Sequence, residues 1–253
     1  DVFAERRFRV AVETWVESEQ GGYAFWMPFW LARVFEHLFE KDTNGRNQMP
    51  QIENYAALQD YVSEMDKQYI LLDVGAHIGQ SALPVAAAGY EVVCIEPVPS
   101  SAALLRHNAR ESGFPERVHV VEAVASDTAG STTLFVPFMQ DNACLSKTGA
   151  LLNVKDDKVK EMAVPKVVLD DWLDEHPEIK ERVAFIKIDT QGFELFVLKG
   201  LRRFFALGRP LRVMLEWDDK LMHKAGVTES ELEAMFEGFE LLEAGGDRLY
   251  QRG

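Results

Sequence analysis

Three groups of residues in this 253-residue chain have the types and spacing to do chemistry. The first is Asp73-Val74-Gly75-Ala76-His77-Ile78-Gly79, an apolar run that passes a carboxylate and enters a turn with two glycines. Glycines at such a turn let backbone approach a ligand, and the helix that follows aims its N-terminal amides at it. Asp73 is placed to meet an ammonium group, and Ala76, His77 and Ser81 share the turn as ligand-facing candidates. A tight strand-to-helix connection without a ligand is the plain alternative. The second group is Glu96-Pro97, closing the apolar run Glu91–Ile95. In a doubly wound fold, an acid at the end of the second strand can accept both hydroxyls of a ribose. Ala123 and Val124, where a third strand would end, are candidates for the wall against a base.

The third group lies further on. Lys187 and Asp189 are two apart in Ile186-Lys187-Ile188-Asp189, so they share one face of a strand, with Asp189 at its carboxyl edge. Asp189 is the leading candidate for catalysis or positioning. Lys187 is either a substrate contact or the partner that a buried carboxylate needs. Glu216 ends the next strand and belongs beside this pair, whereas Glu194 starts a helix and reads as a partner of its dipole. His223 has the titration range of a general base and follows a strand's carboxyl end; the alternative is a surface histidine. Asp189, Glu216, Asp218, Asp219 and His223 could together hold a divalent cation, but their spacing matches no dedicated metal motif and a solvated acidic loop explains them as well. Asn142 and Ser146, in the polar run Asp141–Ser146, are candidate substrate contacts.

The elements that must hold these residues alternate. Tyr69–Val74, Glu91–Ile95, Val118–Val121, Val183–Ile188 and Leu211–Leu215 read as strands, with helices over Ser81–Ala88, Ser101–Ser112 and Glu194–Phe205. This is the pattern of a mostly parallel α/β sheet. Phe239–Glu243 and Leu249–Gln251, around Ala244-Gly245-Gly246-Asp247, predict a closing antiparallel hairpin. Ser131–Val136 and Val164–Leu169 predict extra strands within an insertion at about 128–168. Phe3–Phe39 has helical spacing broken at Gly21-Gly22, and Asn54–Asp66 reads as a further helix. The expected organisation is therefore a helical appendage or lid over residues 1–68 and a catalytic domain over 69–253.

With 27 Lys and Arg against 41 Asp and Glu, the formal net charge of -14 argues against a nucleic-acid partner, whose phosphates are held by clustered cations. Cys94 and Cys144 are too few for a disulfide framework, which favours a reducing, cytoplasmic setting. The apolar stretch Tyr23–Phe39 contains Arg33, Glu36 and His37 and is too short to span a bilayer. The aromatic segment Gly22–Trp30 is a candidate lid over an apolar substrate or a homodimer face, with helix packing as the alternative.

The chain resembles the FkbM-type methyltransferases. The resemblance is carried by Asp73–Ser81, by Ile186-Lys187-Ile188-Asp189-Thr190-Gln191-Gly192-Phe193-Glu194 with Val197-Leu198-Lys199-Gly200, and by Glu96-Pro97, Ala125-Ser126-Asp127, Val168–Trp172 and Glu216 in the same order. It spans roughly Ile70 to Glu243. It implies a Rossmann-like class I methyltransferase that takes S-adenosylmethionine, releases S-adenosylhomocysteine and methylates a hydroxyl on a sugar, lipid or natural product. The chain differs from many members at His77, where Asn is usual, and at Thr190-Gln191, where Val-Glu is usual; Gln191 is assigned no chemistry. A non-catalytic S-adenosylmethionine-binding module and a nicotinamide-dependent oxidoreductase are the alternatives. The incomplete G-x-G-x-x-G pattern and the terminal hairpin weigh against the second of them.

Overall fold

A computed structural model describes residues 11–18, 21–28, 40–41, 47–48, 65–137, 159–244 and 247–253, the first four segments as backbone only. The chain begins with β1 (Ala11–Ser18), β2 (Gly21–Pro28) and the two-residue strands β3 (Glu40–Lys41) and β4 (Asn47–Gln48). Next come β5 (Ile70–Val74), α1 (Ala82–Ala87), β6 (Glu91–Ile95), α2 (Pro99–Glu111), β7 (Val118–Val121), β8 (Val124–Ala125), β9 (Gly130–Pro137) and β10 (Val159–Val167). After these follow α3 (Leu169–Glu175), α4 (Pro177–Lys180), β11 (Val183–Ile188), α5 (Glu194–Lys199), α6 (Arg202–Phe205) and β12 (Leu211–Glu216). The chain closes with α7 (Asp219–Lys224), α8 (Glu229–Glu233), β13 (Glu240–Ala244) and β14 (Asp247–Arg252).

Seven strands form one sheet in the order β13-β14-β12-β11-β5-β6-β7. All neighbours from β12 to β7 are parallel, and β14 inserts antiparallel to both β12 and β13. The central strands are apolar because both faces are covered. Ile70, Leu72 and Val74 pack with Ile186, Ile188, Val213 and Leu215 against the face carrying α3 and α5 to α8. Leu71, Cys94, Phe185 and Met214 pack against α1 and α2 on the other. Successive connections leave β5 toward β6 on one side and return to β11 on the other, so the crevice where strand order reverses opens at the carboxyl ends of β5 and β11. Ligands of open α/β sheets bind at such a point.

The insertion folds as a small second sheet, with β10 antiparallel to β9 and parallel to β8. Its inner face buries Val98, Val124, Leu134, Val136 and Val164 together. The expected single helix over Glu194–Phe205 is two helices, α5 and α6. They part at Gly200, where a Cβ would fall 2.3 Å from the Ser126 carbonyl oxygen. Buried Asp170 then caps α6 from outside, accepting from the backbone N–H groups of Arg203 and Phe204 at 2.8 Å each.

The expected N-terminal helical appendage is corrected over its described part. Ala11–Ser18 and Gly21–Pro28 form an antiparallel hairpin, with Ser18 opposite Gly21 and Ala11 opposite Pro28. Val12 pairs with Met27, Thr14 with Phe25, Trp15 with Ala24 and Val16 with Tyr23 along these strands. β-branched and aromatic residues favour this pleated surface, so the Gly21-Gly22 pair punctuates a hairpin rather than a helix. The helix expected over Asn54–Asp66 falls mostly outside the described residues.

Candidate functional site

Strand register brings the polar residues of the sheet's carboxyl edge side by side. Lys187 on β11 pairs with Asp73 on β5 and with Met214 on β12. Residues two positions beyond Lys187 and Met214, namely Asp189 and Glu216, therefore project from the same face at the sheet's edge. The Lys187 Nζ lies 3.5 Å from Asp73 Oδ1 and 3.2 Å from Asp189 Oδ2. Asp73 is fully buried, and its other oxygen accepts from the Ser81 hydroxyl. Gln191 closes the group, its Nε2 donating to Asp189 Oδ1 at 3.1 Å and to Glu216 Oε2 at 3.0 Å.

The loop that carries Gln191 is held in an unusual shape. Gln191 has φ 57° and Gly192 has φ 97°, so two consecutive residues are left-handed. Non-glycine residues occupy that region at a cost of about 1–2 kcal/mol. Glu194, 2% exposed, fixes the loop by accepting from the Thr190 N–H, the Thr190 hydroxyl and the Gly192 N–H. A Cβ on Gly192 would meet the Leu221 carbonyl oxygen of α7 at 2.9 Å, which makes glycine necessary there.

The charges of this group are set by one another. Burial pushes Glu216 up to about 9, and the neighbouring charges of Asp189 and Glu194 push the same way. Burial also acts to raise Asp189, but Lys187 and the hydrogen bonds from Glu216 and Gln191 outweigh it and hold this carboxyl below its ordinary value. At neutral pH the pair is therefore an ionised Asp189 beside a protonated Glu216. Burial likewise raises Glu194 despite its three hydrogen bonds.

A cleft opens beside this group, between the ends of β5, β6 and β11 and the small sheet. At one end, Gly75, Ala76, His77, Glu96 and Pro97 form the wall, with Ser81 behind them. Glu96 is 5% exposed; its Oε2 accepts from the His77 N–H at 2.9 Å and its Oε1 from the Val98 N–H at 2.8 Å. These bonds orient the carboxylate at the cleft wall. Ala123, Val124 and Leu134 make an apolar wall, and Lys187, Asp189, Thr190, Gln191 and Phe193 close the opposite end.

Most of the residues singled out from the sequence thus meet at one cleft, but several do so in unexpected ways. Asp73 stands behind the wall, engaged with Lys187 and Ser81, rather than facing an ammonium group directly. Gly79 is also off the lining; a Cβ there would meet Leu105 at 2.4 Å and Leu83 at 2.9 Å, so its task is helix packing. Gly75 does line the cleft, and a Cβ on it would fall 1.9 Å from the Asp189 carbonyl oxygen. Glu216 touches the site through Gln191, without itself lining the cleft. His223 is exposed on α7 and does not line the cleft, because its helix turns Met222 inward instead. Asp218 caps α7 and Asp219 accepts from the Trp217 ring N–H. Among the described residues no group of three or more His, Cys, Asp or Glu is arranged to hold a metal ion. Asn142 and Ser146 lie outside the described residues. Gln191, Thr190, Phe193 and Gln80 were not anticipated in the lining. The signal for Gln191 was its spacing of two from Asp189, directly before a glycine.

The family model of the methyltransferase FkbM domain matches residues 73–241, two-thirds of the chain and all of the cleft's strands. The chain belongs to the FkbM methyltransferase family. Its sheet is that of class I methyltransferases, mostly parallel with a reversed strand inserted near one edge, and the cofactor of such folds is S-adenosylmethionine. Among solved structures it is similar to a methyltransferase FkbM from Methylobacillus flagellatus, at 20% identity and a TM-score of 0.46, covering 78% of this chain and 47% of that one. It is also similar to the 16S rRNA N2 G1207 methyltransferase of T. thermophilus, solved with AdoMet and guanosine, at 14% identity and a TM-score of 0.50, covering 96% and 51%. A third is an O-methyltransferase from Bacillus cereus solved with SAH, at 13% identity and a TM-score of 0.48, covering 88% of each chain. The chain spans about half the length of the first two, and at these identities the likeness is one of fold. No curated protein matches the FkbM-family chain.

Proposed function

We propose that this FkbM-family protein transfers the methyl group of S-adenosylmethionine to a hydroxyl of a small molecule. The observation that carries the proposal is the Asp189 carboxylate at the cleft's closed end, 3.2 Å from the Lys187 ammonium and joined through the Gln191 amide to Glu216, whose carboxyl is held toward the protonated form by burial. The cleft suits the cofactor by its chemistry. Glu96 lines the end where the ribose hydroxyls would sit, Ala123, Val124 and Leu134 offer an apolar wall to adenine, and Gly75 and Ala76 line the stretch beside the methionine part. S-adenosylmethionine supplies an electrophilic methyl on a sulfonium. The chain's own residues hold the acceptor oxygen in line with it.

As the acceptor oxygen bonds to the methyl carbon, the carbon–sulfur pair leaves to sulfur and the hydroxyl proton becomes strongly acidic. Even a weakly basic carboxylate then takes it, so Asp189 acts as hydrogen-bond acceptor first and proton acceptor last. Lys187, 6% exposed and committed to Asp73 and Asp189, acts as their charge partner, and exposed His223 has no part in this reading. The net charge of -14 speaks for a small acceptor over a nucleic acid. Among the described residues no helix is long and apolar enough to cross a membrane, and we place the protein in the cytoplasm.

The test has two stages. Isothermal titration should detect S-adenosylhomocysteine but not NAD. Radiolabelled methyl from S-adenosylmethionine should then pass to members of a panel of hydroxylated sugars, lipids and natural products, and Asp189→Asn should slow transfer more than it weakens binding of S-adenosylhomocysteine. Binding without transfer to any acceptor would favour a cofactor-binding module; absence of binding would remove the methyltransferase reading.

A further inference from the structure

Gln191 stands out because its backbone is strained while its side chain is fully used. A non-glycine residue at φ 57° persists only where its surroundings impose it, and such residues collect at functional sites. Here the imposing contacts are identifiable: Glu194 ties down Thr190 and Gly192 on either side, and Gly192 abuts α7. What the strain achieves is the aim of one amide. The single Nε2 of Gln191 reaches Asp189 on the β11 edge and both oxygens of Glu216 on β12. Two carboxyl groups that share one donor nitrogen sit too close for both to ionise easily.

We propose that Gln191 is a positioning residue that joins Asp189 and Glu216 into one hydrogen-bonded unit carrying a single proton at the acceptor end of the cleft. This rests on the methyl-transfer reading of the cleft. The neutral amide is what the arrangement needs. It donates to both partners without adding charge, where a carboxylate of the same shape would add a third carboxyl group. Facing the unit are Lys187 from β11, Asp73 from β5 and Glu194 from α5; one cation stands against these carboxyl groups, so a proton kept by the pair lessens the excess of negative charge. In turnover, the proton leaving the acceptor hydroxyl goes to Asp189, so the unit briefly holds two. One then passes to water through the open cleft, which restores the starting state.

The experiment needs no acceptor. Side-chain carboxyl signals of the full chain, read by carbon NMR with labelled Asp and Glu and by infrared spectroscopy, are titrated with pH. We expect one protonated carboxyl at pH 7 that titrates near 9 and vanishes in Glu216→Gln. Gln191→Gly deletes the amide while suiting the left-handed backbone, so the fold is kept; it should move the titration of Asp189 upward. Gln191→Glu should bring one further protonated carboxyl at pH 7. Gln191→Asn, which tolerates the same φ but is one methylene short, should behave as Gln191→Gly. Full ionisation of the cluster at pH 7, or identical titrations in the wild type and Gln191→Gly, would overturn the proposal. Titration of the wild type with S-adenosylhomocysteine runs alongside. Its failure would remove the methyltransferase reading, while the carboxyl signals still decide whether the proton-sharing unit exists.

Discussion

Lys187→Met removes one charge from the most enclosed ionic group of the protein and leaves its apolar stem. The Lys187 side chain is 6% exposed, and its ammonium lies 3.5 Å from Asp73, whose side chain is 0% exposed, and 3.2 Å from Asp189, whose side chain is 28% exposed. With an effective dielectric constant of about 20, each attraction is about 5 kcal/mol. Most of this is offset by the desolvation of the three groups, so the pairs add little over an apolar alternative. Removing one partner differs, because Asp73 keeps its desolvation penalty with, among the described residues, only the Ser81 hydroxyl to answer it. We expect a loss of about 3–5 kcal/mol, nearly all through Asp73, since water screens the more open Asp189.

Urea unfolding followed by tryptophan fluorescence reads the loss. The decisive comparison is with Asp73→Asn and the double variant. Asparagine removes the stranded charge, so the double variant should be more stable than Lys187→Met alone by at least about 2 kcal/mol, a coupling that a double-mutant cycle isolates. A loss below about 1 kcal/mol in Lys187→Met, or simple additivity of the two changes, would refute the assignment of Lys187 as a structural charge partner. It would return that residue to direct contact with a ligand.

Other expectations follow from the same geometry. Glu96→Gln keeps the size of the side chain and loses its charge; S-adenosylhomocysteine should bind at least about tenfold more weakly by calorimetry, and an unchanged Kd would sink the ribose assignment. Gly75→Ala sets a Cβ 1.9 Å from a carbonyl oxygen at φ 87°, so thermal unfolding should reveal a loss of at least about 2 kcal/mol, whereas tolerance would mean that the two strand ends part freely. Glu216 has a folded-state value raised from 4.5 to about 9, so its contribution to stability is complete below about 4.5 and is lost as pH rises through 9. Across that window the wild type should lose stability relative to Glu216→Gln, by at most about 1.4 kcal/mol per pH unit; parallel curves would show that Glu216 ionises normally.

The parts of this protein that were legible in its sequence are those fixed by local rules. The strands β5, β6, β11 and β12 are largely apolar runs because they are covered on both faces, and their limits follow from that. Gly75 and Glu96 stood out because a sharp turn and a strand-end acid depend on few neighbours. The N-terminal hairpin is not legible locally because Val12, Trp15 and Val16 fit helical spacing as well as pleating, and only pairing with Met27, Ala24 and Tyr23 decides between them. His223 was chosen for its titration range, a property of the side chain alone, while the orientation of α7 turned it outward.

The reacting end was harder to read because its chemistry belongs to relations between strands. Asp73 and Lys187 are 114 residues apart in the chain and meet only through the β5–β11 register. Glu216 acquires its retained proton from burial beside Asp189 and Glu194, a circumstance no local motif encodes. Gln191 is the sharpest case. Its side chain bridges two strands only because the backbone is left-handed at that residue, and that backbone holds only because Glu194 and Gly192 lock it. The end of the cleft lined by Gly75 and Glu96 thus depends on a local turn and a strand-end acid and could be anticipated. The end where we propose that the acceptor sits is built from side chains crossing between β5, β11 and β12, and substitutions there should alter proton placement before they alter the fold.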